Sequence, residues 1–313
     1  MSQEHWESYY RGGALVSCPL GLEPGYTREM RDLWVAFFSG LPDGAKILDI
    51  GTGNGAIPLI AVETAAALGR SYVIDGIDLA QIDPVRYVRN GERLFAGVRF
   101  HGGVAAESLP FPDQTFDAVT AQYALEFTDV PRTLAEVHRV ARPGACCLFV
   151  LHHADSILVQ NAAESLAHAD ILLDDLKIFR KFRRYLDAEQ EDPAKATGPW
   201  RELVLAGHEL QKAAGGARQS LTLTTMLDSL RQLFELRKTA TPLAVRTVLD
   251  RMEKDLRASV RRMQGVQSAA QSREDIESLV ATAAAGGFHD IHFEAQLFRS
   301  DQLVGWRVSL RRQ

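Results

Sequence analysis

The sequence predicts an α/β fold, and three observations carry that prediction. Short apolar runs, two of them ending in an acid, alternate with helical patterns through the first half of the chain. A glycine-rich turn joins the first run to the helix behind it, and two alternating apolar segments close the chain. Between them, residues 154–272 show helical periodicity alone.

Residues 1–44 form a lead-in rich in aromatics: Trp6, Tyr9, Tyr10 and Tyr26, then a stripe at Met30, Leu33, Trp34, Phe37 and Phe38. The stripe has helical spacing and reads as a face packed on the sheet. Trp6, Tyr9 and Tyr10 fall on no such stripe.

The stretch Lys46 to Leu59, KILDIGTGNGAIPL, is a buried strand that breaks into a turn and restarts as a helix. Gly51, Gly53 and Gly55 allow a sharp bend and close approach to a ligand. A helix starting at Ala56 aims unpaired N–H groups and the positive end of its dipole at the turn. Gly51, Gly53 and Ala56 also satisfy a looser dinucleotide pattern. Asp49 argues against a pyrophosphate there, because a carboxylate facing the site would repel it and would instead hold an ammonium.

SYVIDGIDLA supplies a second buried strand, with Asp78 about 25 residues past the turn, where an α/β fold places an acid that accepts ribose hydroxyls. Asp75 is the alternative, earlier in the strand. A short helix with Pro84 near its start and Gly91 near its end leads to a third strand, VRFHGG. After VAAESLPFPDQTFDAV the fourth strand, FDAVTAQYALEF, brings Gln122, Tyr123 and Glu126 to the carboxyl edge of the sheet. Asp129, Pro131, Leu134, Val137 and Val140 then mark a helix ended by RPGA, and the strand ACCLFVLHH ends in His152 and His153.

D-x-G-x-G-x-G at Asp49, GIDLA around Asp78, and Leu109, Pro110, Phe111, Asp113, Phe116, Asp117 and Val119 together resemble the class I S-adenosylmethionine-dependent methyltransferases, in particular the core of the ubiquinone/menaquinone-biosynthesis type. The resemblance implies a Rossmann-like, mostly parallel seven-stranded sheet with an antiparallel last strand. It implies S-adenosyl-L-methionine as cofactor and S-adenosyl-L-homocysteine as product, and it makes Trp6, Tyr9 and Tyr10, ahead of the first strand, candidates for a lid folded over that cofactor. By the same resemblance the cofactor is held by Asp49, Gly51, Thr52, Gly53, Asn54, Gly55, Asp78, Leu79, Ala105, Ala106, Glu107 and Gln122. The family's adenine-binding acid is replaced by Ala105, so that contact falls to the backbone of Ala106 or to Glu107.

The closing segments FHDIHFEAQLF and LVGWRVSLRR read as a hairpin, after a helix from Ile276 to Gly287 and with a turn at Ser300 and Asp301 between them. They resemble the family's last strands. Residues 154–272 are therefore expected to be a helical cap inserted into one domain made of residues 45–153 and 273–313. About four helices are expected there, with stripes at Ile178, Phe179, Phe182, Tyr185 and Leu186 and at Leu249, Met252, Leu256, Val260 and Met263. The basic cluster Lys177, Arg180, Lys181, Arg183 and Arg184 is flanked by acids and reads as a solvated helix face.

Composition adds exclusions. Hydrophobic residues at 46%, charged residues at 24% and a net charge of -5 describe an ordinary globular chain without a basic field for nucleic acid. No segment reaches the roughly 18 apolar residues of a membrane span, and a cytoplasmic location is expected. Cys18, Cys146 and Cys147 make no disulfide framework and no C-x-x-C pair, and no metal site is expected. The expected reaction is O- or N-methylation of a small, apolar or aromatic acceptor, with His152, His153 and Tyr123 as catalytic candidates and homodimerisation through the insertion. The alternative is a non-catalytic protein that binds the cofactor for sensing or assembly.

Overall fold

The computed structural model describes residues 4–17, 28–216, 221–299 and 301–313, so Cys18, Tyr26 and Ser300 lie outside the described residues. Seven strands, β1 (Lys46–Ile50), β2 (Val73–Asp78), β3 (Val98–Gly102), β4 (Phe116–Gln122), β5 (Ala141–Leu151), β6 (Phe288–Phe298) and β7 (Gln302–Arg312), form one sheet in the order β3-β2-β1-β4-β5-β7-β6. β7 runs antiparallel to both neighbours, and every other pairing is parallel. The mostly parallel sheet with an antiparallel last strand is thus present. Because β2 and β4 leave β1 on opposite sides, a crevice opens at the carboxyl end of β1, where ligands of such sheets bind.

The α-helices are α1 (Glu4–Arg11), α2 (Arg28–Ser39), α3 (Ala56–Ala67), α4 (Pro84–Tyr87), α5 (Gly91–Leu94), α6 (Val130–Val140), α7 (Ile157–Asp170), α8 (Ile178–Glu191), α9 (Thr197–Gly216), α10 (Leu221–Leu236), α11 (Pro242–Ala269) and α12 (Arg273–Ala285). Strand periodicity sorts the core. Leu48, Ile50, Val119, Ala121 and Phe149 pack on one face with Leu134 and Val137 of α6 and Ile276 and Leu279 of α12. Ile47, Ala118, Leu148 and Val150 pack on the other with Trp34 and Phe38 of α2 and Ile57 and Ile60 of α3. Trp34 and Phe38 are fully buried, so the stripe read from the sequence is core.

Three boundaries differ from the sequence reading. The single helix expected between Pro84 and Gly91 is two: Asp83 caps α4 through the Arg86 N–H, and Asn90, in the left-handed region at φ 62°, starts α5 at Gly91. The fourth strand stops at Gln122, because Tyr123 turns into the left-handed region at φ 53° and Leu125–Phe127 form a 3-10 turn. RPGA lies within β5 and not in a loop, since the strand pairs with β4 from Ala141 across a register shift between Phe116 and Ala118.

The chain divides into two compact units, Met1–Gln160 with Gly265–Gln313, and Asn161–Gln264. The second has its own core, in which Phe179, Phe182, Leu210, Leu223, Val245 and Leu249 are buried. Between residues 154 and 272 there are five α-helices among the described residues, one more than expected. The basic cluster of α8 is partly neutralised: Arg183 pairs with Asp250 and Glu253, and Arg184 with Glu202. No helix among the described residues is long and apolar enough to cross a membrane.

Candidate functional site

The turn after β1 is built around two glycines that no other residue can replace without displacement. Gly51 sits at φ 64°, where a Cβ would run into the Cβ of Ala124. Gly53 sits at φ 50°, and a Cβ there would meet the Tyr10 ring at 2.7 Å from Cε1. The N-terminal segment is therefore laid against the turn. Asn54 ties it down, donating from Nδ2 to the carbonyls of Tyr10 at 2.9 Å and Ala14 at 2.8 Å.

Asp49, Gly51, Thr52, Gly53, Asn54 and Gln122 line one narrow cavity, together with Tyr10, Leu15, Ser17, Ala56 and Ile57. Six of the residues expected from the sequence to hold the cofactor thus lie together. Of the lid candidates, Tyr10 reaches the cavity itself; Trp6 and Tyr9 contact its ring. Nothing in the sequence marks Leu15 or Ser17, which belong to no periodic pattern.

Two buried carboxylates stand by this cavity. Asp49 is 2% exposed; burial, opposed by the hydrogen bond from Thr120 Oγ1 at 2.7 Å, pushes its pKa up to about 7. Asp78 is raised to about 6, again mainly by burial, while the N–H groups of Ala80 at 2.8 Å and Gly53 at 2.9 Å hold it down. Asp78 therefore links β2 to the glycine turn. Asp75 faces the other way, bonded to Arg99 at 2.9 Å and His101 at 2.8 Å on β3, so the alternative acid is engaged elsewhere.

The Trp34 indole N–H donates to Gln122 Oε1, which turns the other end of the amide to the cavity side; that Nε2 is buried with no partner. The sequence showed Trp34 only as core. Asn54 Oδ1 is also buried without a partner. Leu79, Ala105, Ala106 and Glu107 do not line the cavity. Leu79 is half exposed beside Asp78, Ala106 is buried, and Glu107 accepts the Asp129 N–H at 2.8 Å, which engages the side chain offered as the substitute adenine acid.

At the carboxyl end of β5 the catalytic candidates separate. The Tyr123 and His152 rings meet at a tilt of 32°, centroids 4.4 Å apart, and the Tyr123 hydroxyl donates to the Val304 carbonyl at 3.0 Å. His153 points to Trp306, stacked at 4.3 Å, with its Nδ1 accepting the Asp155 N–H at 3.0 Å and its pKa lowered mainly by burial. A run of five rings connects the two regions: Tyr10 stacks on Trp6, Trp6 meets Phe127 edge-on, Phe127 meets His152 edge-on, and His152 lies on Tyr123.

Residues 48–149, which hold β1, the glycine turn and Gln122, match the family model described as a methyltransferase domain. This segment is a class I S-adenosylmethionine-dependent methyltransferase domain. The methyltransferase domain is 37% identical over 116 residues to the ubiquinone/menaquinone biosynthesis C-methyltransferase UbiE of Desulfotalea psychrophila, a match covering 35% of this chain and 42% of that protein. It is also 37% identical over 113 residues to the uncharacterized methyltransferase YcgJ of Bacillus subtilis, covering 35% and 41%. The chain spans about two fifths of the length of these curated relatives. The crystal structure of the Bacillus YcgJ protein aligns over 92% of this chain and 99% of its own at 17% identity, with a TM-score of 0.38.

The family's cofactor carries an ammonium, a carboxylate, a ribose and a sulfonium, and the residues of the methyltransferase domain fit such a group. Two residues that line the cavity, Gln122 and Asn54, carry a buried amide donor and a buried amide oxygen without partners, and the glycines of the turn leave no room for a Cβ. Two acids stand ready to be compensated by a cation or by hydroxyl donors.

Proposed function

We propose that the protein transfers a methyl group from S-adenosylmethionine to a small acceptor bearing a hydroxyl or amine. The observation that carries this reading is the pairing of buried Asp49 with the partnerless Gln122 Nε2 beside the glycine turn. Asp49 is the acceptor for the cofactor's ammonium, and Gln122 Nε2 the donor to its carboxylate. Asp78 takes the ribose hydroxyls on the lone pairs that Gly53 and Ala80 leave over, and the exposed Leu79 side chain covers the adenine face. When bound, the cofactor supplies a methyl on a positively charged sulfur, open to in-line displacement.

What remains for the chain is to align the nucleophile, keep water away and take up a proton. His152 and His153, which follow one another at the carboxyl end of β5, are the candidates for the last task. The three aromatic rings between Gly53 and His152, those of Tyr10, Trp6 and Phe127, favour a flat, apolar acceptor. Deprotonating a phenol would activate both its oxygen and its ring carbons. The name of the Desulfotalea relative, a C-methyltransferase, favours carbon methylation as the second reading.

Calorimetry with S-adenosylmethionine and S-adenosylhomocysteine tests the proposal. Micromolar binding, about -8 kcal/mol, is expected, weakened about tenfold or more by Asp78→Ala and by Asp78→Asn. Absence of binding by folded protein overturns it. Binding without turnover across a screen of phenols, amines and acids would favour a sensing role.

A further inference from the structure

The cavity beside the glycine turn has two walls of different origin. Asp49, the turn itself and Gln122 supply one; Tyr10, Leu15 and Ser17, from the segment ahead of the first strand, supply the other. Between them lies about 20 Å³, room for about one water molecule. The amino-acid end of the cofactor is larger than that, so it enters only when the N-terminal wall moves.

Asn54 ties that wall to the turn. Its Nδ2 donates to the carbonyls of Tyr10 at 2.9 Å and Ala14 at 2.8 Å. A carbonyl oxygen bonds only to the NH2 end of an amide, so these two acceptors fix which way the side chain lies. Its other end, Oδ1, is buried and has no partner, in a residue that is 1% exposed and lines the cavity. An unpaired buried amide oxygen costs stability, and a donor brought into the cavity offsets that cost.

The segment is braced within itself. The Tyr9 hydroxyl donates to the Val16 carbonyl at 2.7 Å, and the Tyr10 carbonyl held by Asn54 also accepts the Gly13 N–H at 2.9 Å. Trp6 stacks on Tyr10, ring centroids 5.9 Å apart, and meets Phe127 edge-on at 6.3 Å. α1 thus reaches from the glycine turn to the 3-10 turn after β4.

An amide is one conjugated unit. A cation bonded to its oxygen draws electron density through the C–N bond and makes the nitrogen's hydrogens stronger donors. The cofactor's ammonium is such a cation, and with three hydrogens it can serve Asp49 and a second acceptor together.

We propose that Asn54 couples cofactor binding to closure of the N-terminal segment: Oδ1 accepts from the cofactor's ammonium, and Nδ2 then holds Tyr10 and Ala14 more tightly. This rests on the methyl-transfer reading above. The segment opens to admit the cofactor and closes on its amino-acid end, so the adenosine end alone does not close it. The coupling is reciprocal, and whatever the cofactor adds to closure, closure adds to cofactor affinity.

Hydrogen exchange of the α1 amides in the full chain tests this, with the protein free, saturated with S-adenosylhomocysteine, or saturated with methylthioadenosine, which keeps the adenosine and lacks the amino-acid end. S-adenosylhomocysteine is expected to slow exchange about tenfold or more, and methylthioadenosine less than about twofold. Equal slowing by the two ligands overturns the proposal without any variant being made, as does S-adenosylhomocysteine binding that leaves α1 unchanged. In Asn54→Ala, checked for folding by thermal melting, saturating S-adenosylhomocysteine is expected to lose its effect on α1; slowing equal to the wild type's overturns the proposal. If that variant does not fold, the comparison of the two ligands on the wild type decides alone. Failure of folded wild type to bind either ligand in calorimetry counts against the methyl-transfer reading itself. The tie is then read on the free protein, where Asn54→Ala must exchange faster in α1 than the wild type, and an unchanged rate overturns it.

Discussion

The indole N–H of Trp34 is bonded to Gln122 Oε1, and this one contact sets which end of the amide the cavity sees. An indole can only donate, so it selects the oxygen of the amide and leaves the Nε2 hydrogens for a ligand. A residue buried as core on α2 therefore determines the polarity of the cofactor site.

Trp34→Phe keeps most of the apolar volume and removes the donor. Cofactor affinity is expected to fall by about fivefold, the worth of roughly 1 kcal/mol of hydrogen bonding, because Gln122 becomes free to flip. Gln122→Glu, which replaces the donor by a carboxylate, is expected to cost about tenfold or more for the same reason. Calorimetry on both variants, with thermal melts to confirm folding, checks the order. Equal affinity in Gln122→Glu would show that Nε2 donates to nothing in the bound cofactor.

Gly53→Ala should strain the turn and push the Tyr10 ring away, since the new Cβ would lie 2.7 Å from Cε1 at a residue of φ 50°. A loss of about 1–2 kcal/mol of stability is expected, along with faster amide exchange in α1. Pairing it with Tyr10→Ala should recover part of the loss, leaving the backbone strain. Strict additivity of the two changes would mean that the ring and the turn do not touch.

Much of the site could be read from the sequence because its chemistry is local. Asp49, Gly51 and Gly53 are neighbours on one strand and turn, and their spacing carries their geometry. Asp78 follows from the length of one helix and one strand. The pairs that the sequence hid are those made by topology. Trp34 and Gln122 are 88 positions apart, and helical periodicity reveals that Trp34 is buried but not that its N–H needs an acceptor. Glu126 and His152 meet through strand order, which residue spacing does not encode. Gly91, taken as a helix end, opens a helix because the left-handed residue before it is an asparagine, a residue that tolerates that region without the glycine signal. Ala105 marks a missing acid plainly, but residue spacing does not show that Glu107, two positions on, is bonded to the Asp129 N–H.

In the helical unit, Phe182 is fully buried and packs against Tyr185 and Phe234, with Arg237 and Glu189 bonded to the Tyr185 hydroxyl at the edge. Phe182→Ala is expected to cost about 3–5 kcal/mol through the cavity it leaves. Denaturant unfolding followed by Trp200 fluorescence measures it, since Trp200 lies 5.2 Å from the Tyr185 ring. A cost below about 1 kcal/mol would mean that the unit collapses into the space and that the aromatic cluster is loosely packed.

Asp49 makes the protein's stability and its cofactor affinity depend on pH in opposite directions. Burial raises its pKa from 3.8 to about 7, and that of Asp78 to about 6. In the unfolded chain both groups ionise near their ordinary values. Between those values and pH 6 to 7 the folded protein therefore binds protons that the unfolded chain has released, so stability is highest at the acid end and falls as pH rises through the folded pKa values. The ammonium of the cofactor needs the opposite state, an ionised Asp49. Affinity for S-adenosylmethionine should thus rise with pH, by up to about tenfold per unit below pH 7, and level off above it. Asp49→Asn keeps an acceptor for Thr120 and cannot ionise. It should melt at a higher temperature than the wild type at about pH 8, show a flatter stability profile from there down to about pH 5, and bind the cofactor weakly at every pH. Melting curves and calorimetry across that range on both proteins check the two slopes together. Parallel pH profiles for the wild type and Asp49→Asn would show that Asp49 is not the group that titrates.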